Sequence, residues 1–154
     1  MKFITQQQID HFLDCKSMAI VGASRNEKSF SAQVAQHLTK IGYDIWYVNP
    51  AFEKTDTKLQ KVQCISSLPS EVKHLLLITP ARQTATAISD ADVNGIKNLW
   101  IQQYSETPSA LELTKRKGMN VVHNQCIFMF AKPEGIHKFH YRVNKLFGQL
   151  PKLS

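Results

Sequence analysis

The chain has 154 residues, 43% hydrophobic and 20% charged, a size and mixture that fit one globular domain with its own core and exclude a disordered chain. The formal net charge is +7, split as +2 over residues 1–100 and +5 over residues 101–154, which directs attention to anionic partners: nucleic acid, a membrane surface or a small phosphorylated ligand. No apolar run nears the ~18 residues of a membrane span, residues 1–10 lack a secretory core, and the distant Cys15, Cys64 and Cys126 form no disulfide or zinc pattern, so a reduced, cytoplasmic protein is expected.

Thr5 followed by Gln8 is a capping box ahead of Ile9, Phe12 and Leu13, predicting a short helix that ends near Asp14. Residues 17–22 (SMAIVG) are a continuous apolar run bounded by glycine, the pattern of a strand covered on both faces. Val34, Ala35, Leu38 and Ile41 share one face of a helix over 31–41, closed by Gly42. Residues 43–48 (YDIWYV) read as a strand stopped by Asn49 and Pro50.

A polar connection leads to the strand 74–79 (HLLLIT), after which Thr79 and Pro80 form an N-cap with proline in first helical position. That helix runs to about Ala91, the next strand is 98–102 (NLWIQ), and Thr107-Pro108 repeats the cap before a helix ending at Gly118. Residues 119–123 (MNVVH) give a fifth core strand. Ile136, Phe139, His140, Val143, Leu146 and Phe147 then form one stripe of a C-terminal amphipathic helix whose other face carries Lys138, Arg142 and Lys145.

Strands alternating with helices at this spacing predict an α/β, Rossmann-like fold with a mostly parallel five- or six-stranded sheet flanked by helices. Ligands of such sheets bind outside the strand C-termini, near the reversal of strand order. The residues brought to that edge are Gly22 to Ser29, Asn49-Pro50, Thr79-Pro80, Gln102-Gln103 and His123 to Cys126.

The loop IVGASRNEKSFS is not the dinucleotide fingerprint: with Gly22 first, glycines are needed at 24 and 27, where Ser24 and Glu27 stand. Asn49-Pro50 also replaces the ribose-binding acid of the second strand, so NAD in its usual mode is disfavoured. Phosphate chemistry remains. Gly22 permits a sharp turn and close approach, Ser24 and Ser29 offer hydroxyls, helix amides point outward, and Arg25 and Lys28 add cations.

In order, IVGASRNEKS, GYDIWYVNP, a strand ending ITPAR, LWIQ and GMNVVHNQCIFMF resemble the compact single-domain CoA-binding protein family, a Rossmann-like unit similar to the N-terminal portion of the succinyl-CoA synthetase alpha subunit. The resemblance runs from about Ser17 to Met129, within a single CoA-binding domain expected over 1–154. It implies coenzyme A or an acyl-CoA as ligand, with the pyrophosphate on Gly22, Ala23, Ser24 and Arg25 and with Lys28 and Ser29 nearby. Asn49 and Pro50 would line the nucleotide end, and Thr79, Pro80 and Arg82 would close the other side, with Gln102 on the same edge.

Two positions depart from the family pattern. Phe30-Ser31 stands where these loops often carry glycine, and Gln103-Tyr104 follows the W-x-Q strand where glycine is common; Tyr104 is free to stack on a base or to pack.

The implied role is a non-catalytic carrier or sensor, since the synthetase's phosphorylated histidine belongs to a second domain for which the chain has no room. Two alternatives stand beside it: an acyl-CoA-metabolising enzyme using Cys126 and His123, and a nucleic-acid or partner-binding protein using the basic C-terminal third. The spacing of His137 and His140 suits a metal but no third ligand accompanies them, so no metal site is expected. No membrane partner is expected, nucleic acid is the lesser reading, and the oligomeric state is open.

Overall fold

The computed structural model describes residues 3–131, and the amphipathic helix expected over Ile136 to Phe147 lies outside them. Six strands, β1 (Ser17–Val21), β2 (Asp44–Val48), β3 (Lys61–Val62), β4 (His74–Leu77), β5 (Asn98–Gln102) and β6 (Asn120–Gln125), pair in the order β3-β2-β1-β4-β5-β6. Every neighbouring pair is parallel. Strand order reverses between β1 and β4, which opens the crevice of a doubly wound sheet at their C-terminal ends.

Helices α1 (Gln6–Leu13) and α2 (Phe30–Lys40) pack on one face, where Met18, Ile20, Ile45, Leu76, Trp100 and Val122 meet Ile9, Phe12, Val34 and Leu38. Helices α3 (Ala81–Val93) and α4 (Pro108–Arg116) pack on the other, against Ala19, Val21, Leu75, Leu77, Leu99 and Ile101. Because successive strand side chains alternate between faces, SMAIV feeds both cores at once, which is why it reads as a continuous apolar run. Truncating a fully buried member such as Leu76 costs about 2–5 kcal/mol.

Local signals set the helix ends. The Thr5 capping box is formed in both directions, and Thr107 caps α4 with Pro108 in its first turn. Gly42 and Gly118 take positive φ of +108° and +61° just beyond α2 and α4, as helix-terminating glycines do.

Three details differ from the sequence reading. The polar connection after β2 contains β3, two residues long with Lys61 exposed, too short to leave a periodic pattern. Pro80, not Thr79, is the N-cap of α3, because the Thr79 hydroxyl is bonded elsewhere. The last strand extends to Gln125 through an irregularity opposite Ile101 and Gln102.

Candidate functional site

The β1 to α2 loop begins at a glycine that geometry demands twice over. Gly22 has φ +88°, and a Cβ there would lie 2.3 Å from the Ile78 carbonyl oxygen at the end of β4. The amides of Gly22 and Ala23 both donate to the Val48 carbonyl at 3.0 and 3.2 Å, while Ile78 N–H donates to Val21 at 2.9 Å. The ends of β1, β2 and β4 are thereby tied together at the reversal of strand order.

Beyond Gly22 the loop organises itself. Ser24 N–H donates to Ser31 Oγ (2.9 Å), Ser24 Oγ accepts from Asn26 N–H (3.0 Å), and Asn26 Oδ1 accepts from Lys28 N–H (2.9 Å). Ser29 is the N-cap of α2, accepting from Ala32 N–H at 3.2 Å, and its hydroxyl also pairs with that of Ser31. These contacts satisfy one first-turn donor and leave the amides of Phe30 and Ser31 at the positive end of the helix dipole. Ser24, Arg25, Glu27 and Lys28 are exposed, so two cations and one carboxylate stand around that helix terminus.

Asn49 acts on this loop from β2. Its Nδ2 donates to the Ala23 carbonyl at 2.6 Å and its Oδ1 accepts from Ala51 N–H at 2.8 Å, while Pro50 is exposed beside it. On the β4 side, buried Thr79 donates to Thr84 Oγ1 (2.7 Å), which donates to the Ser105 carbonyl (2.6 Å). Thr84 is 0% exposed. This hydroxyl relay joins β4, α3 and the loop after β5, and it frees the α3 terminus at Pro80 and Ala81 from any side-chain cap. Exposed Arg82 sits in that first turn.

Gln102 points inward: it is 4% exposed and its Oε1 accepts from Ile127 N–H at 3.2 Å, fixing the turn that follows β6. Tyr104 does not pack, being 85% exposed at φ +74°. On β6, burial lowers the pKa of His123 below its ordinary value, opposed by the charge of Glu106 and reinforced by Lys115. The buried His123 Nδ1 and Glu106 Oε2 have no hydrogen-bond partner. No hydrogen bond joins Cys126 to His123 among the described residues.

The structure thus gathers Gly22, Ala23, Ser24, Arg25, Lys28, Ser29, Asn49, Pro50, Thr79, Pro80 and Arg82 at one edge, with Gln102 buried beneath it. Sequence reasoning missed Ser31, Asn26, Thr84 and Ser105. Ser31 and Asn26 lay inside the flagged loop and had a signal in their residue type; Thr84 had none, because its partners Thr79 and Ser105 come from two other segments. A concavity of about 790 Å³ lies elsewhere, beside α1, lined by Asp10, His11, Asp14, Asn98 and Asn120. Its described lining carries carboxylates and no Lys or Arg, unlike the β1 edge with Arg25 and Lys28.

No group of metal-binding side chains occurs among the described residues, and none of their helices is long and apolar enough to cross a membrane. Of the cations in the basic C-terminal third, Lys132, Lys138, Arg142, Lys145 and Lys152 lie outside the described residues.

A family model described as "CoA binding domain" matches residues 16–132. The alpha subunit of an ADP-forming acetate–CoA ligase II from Pyrococcus furiosus is 20% identical over 155 residues, covering 94% of this chain and 32% of that subunit. The chain thus spans about a third of the length of this curated relative. A protein from Thermus thermophilus superposes with a TM-score of 0.73 at 20% identity, covering 91% of this chain and 99% of that one. A hypothetical protein from Pyrococcus horikoshii OT3 gives 0.68 at 23% identity over 89% of both chains. A dinucleotide-forming acetyl-coenzyme A synthetase 1 from Candidatus Korarchaeum cryptofilum gives 0.63 at 19%, covering 75% of this chain and 27% of that one. These structural likenesses show the fold.

Proposed function

The chain belongs to the CoA binding domain family, and from that premise we propose that it holds coenzyme A or an acyl-CoA across the C-terminal ends of β1, β2 and β4 as a non-catalytic carrier or sensor. The observation that carries this reading is the Gly22 loop at the reversal of strand order, where backbone ends meet within van der Waals distance beneath a helix terminus flanked by Arg25 and Lys28. A diphosphate suits that spot because helix amides and the dipole favour an anion there. The guanidinium of Arg25 adds a charge-assisted contact.

The loop's internal hydrogen bonds support a preformed cradle, since Ser24, Asn26, Ser29 and Ser31 hold one another before any ligand arrives. Asn49 keeps the cradle on β2 and the Thr79 to Thr84 relay keeps the α3 terminus opposite it. Pro50 would border the nucleotide and Arg82 the phosphates. Preorganisation of this kind lowers the ordering cost of binding.

Calorimetry with CoA, dephospho-CoA and NAD tests the proposal. CoA should bind most tightly, and Arg25→Ala should weaken it about tenfold, the worth of one charged hydrogen bond. Failure of CoA to bind, or tighter binding of NAD, contradicts the reading. The non-catalytic part is tested with acetyl-CoA: thiol release that Cys126→Ser abolishes would replace the carrier with an enzyme.

A further inference from the structure

Among the described residues, Gln60, Tyr104 and Asn124 are the non-glycines with positive φ. Two of the three close the neighbouring strands β5 and β6. Asn124, at +54°, is the extra residue where the register shifts, since Ile101 pairs with His123 and Gln102 with Gln125. Bulges of this kind re-aim side chains at sheet ends. Tyr104 is the third residue of a turn closed by Ser105 N–H donating to the Gln102 carbonyl at 2.9 Å. A positive φ at that position defines a type II turn and is ordinarily met by glycine.

Asparagine tolerates the left-handed region, whereas a bulky side chain there is an outlier. The backbone is held there by the turn bond and by buried Ser105, whose carbonyl accepts from Thr84, while the Tyr104 ring is 85% exposed and makes no hydrogen bond among the described residues. Backbone outliers held in place by their surroundings cluster at active sites and ligand clamps. Two residues further along the same loop and on the next strand, Glu106 Oε2 and His123 Nδ1 are buried without hydrogen-bond partners. One strand end therefore combines a strained, solvent-facing aromatic with two unsatisfied polar atoms.

The direction of a bound ligand follows from the strand order, and this step rests on the CoA reading above. With the diphosphate on β1 and the adenosine toward β2, the strand order β3-β2-β1-β4-β5-β6 directs the pantetheine arm past β4 to β5 and β6. Two strand spacings, about 10 Å, separate β1 from β5. We propose that the ends of β5 and β6 receive the thioester end of an acyl-CoA, with the Tyr104 ring covering a short neutral acyl chain, so that the protein prefers acylated over free CoA. Tyr104 is then a specificity-determining residue.

Calorimetry with CoA, acetyl-CoA and butyryl-CoA, on wild type, Tyr104→Phe and Tyr104→Gly, decides it. Wild type should bind butyryl-CoA about tenfold more tightly than CoA, as expected for a ring shielding some two methylenes from water, with acetyl-CoA between. Tyr104→Phe should keep that ratio and Tyr104→Gly should bring it to about one. A ratio near one in wild type, or a ratio indifferent to Tyr104→Gly, overturns the inference alone if CoA still binds in an Arg25-dependent way. No binding of CoA to wild type overturns the cradle reading as well.

Discussion

Gly22→Ala introduces two costs that the structure lets us separate. At φ +88° any Cβ is strained by about 1–2 kcal/mol. The same Cβ would stand 2.3 Å from the Ile78 oxygen and 2.9 Å from its carbon, so the ends of β1 and β4 must part. Forcing atoms into a packed site typically costs about 1–3 kcal/mol. The total, about 2–5 kcal/mol, corresponds to a Tm lowered by roughly 5–20 °C for a domain of this size.

Gly118→Ala is the matched control, since Gly118 has φ +61° but nothing within 4 Å of its would-be Cβ. It should show the backbone strain without the clash. Differential scanning calorimetry of both variants, with urea denaturation, measures the difference. If Gly22→Ala is no more destabilising than Gly118→Ala, the close approach of β1 to β4 does not constrain this position and the argument for a rigid cradle fails.

Three further outcomes are expected. Thr84→Val should destabilise the fold by about 1–3 kcal/mol, because it leaves the Ser105 carbonyl and the Thr79 hydroxyl buried without their partner; Thr84→Ser should restore most of that in urea titrations, and an equal loss in both would implicate packing instead. Tyr104→Gly should raise Tm by roughly 2 °C, since relief of about 1–2 kcal/mol of left-handed strain exceeds glycine's extra chain entropy of about 0.5–1 kcal/mol; a lower Tm would mean the ring contributes to the fold. Burial, followed by the His11 charge at His74, lowers the pKa values of His74 and His123 below 6.5. The unfolded chain therefore binds protons at those sites before the native one does, so stability is fully present above pH 6.5 and declines as pH falls below it. Urea midpoints at pH 7.5 and 5.5 should show this decline, and it should flatten in the His74→Gln/His123→Gln variant; an unchanged slope would assign it to other groups.

The strands were legible because each carries both cores on alternating residues: Met18 and Ile20 serve one face, Ala19 and Val21 the other. The helix caps at Thr5 and Thr107 were legible from residue type alone. Thr79 misled for a physical reason, since its hydroxyl serves the buried Thr84 and leaves the cap to the Pro80 backbone. β3 left no pattern because two residues at a sheet edge have no periodicity.

At the candidate site, the residue types of the Gly22 loop led to the expectation of phosphate chemistry, but not that the serines are bonded to one another. Gly22 could be read as a turn residue, yet its contact with Ile78 depends on β1 pairing with β4, a pairing between segments more than fifty residues apart. Gln102 was expected on the ligand edge from its place at the end of β5, whereas its bond to Ile127 depends on the turn after β6 and left no local signal. Tyr104 was visible only as a departure from an expected glycine, and its φ explains why glycine would be at home there.

The central claim is that the Gly22 loop cradles a CoA diphosphate, and amide chemical shifts of the labelled protein titrated with CoA test it most directly. The account predicts saturable shifts at Gly22 to Ser31 and at Ala81 and Arg82, with the residues around the concavity beside α1 unmoved. Shifts confined to Asp10, His11, Asn98 and Asn120, or none at saturating CoA, would contradict it.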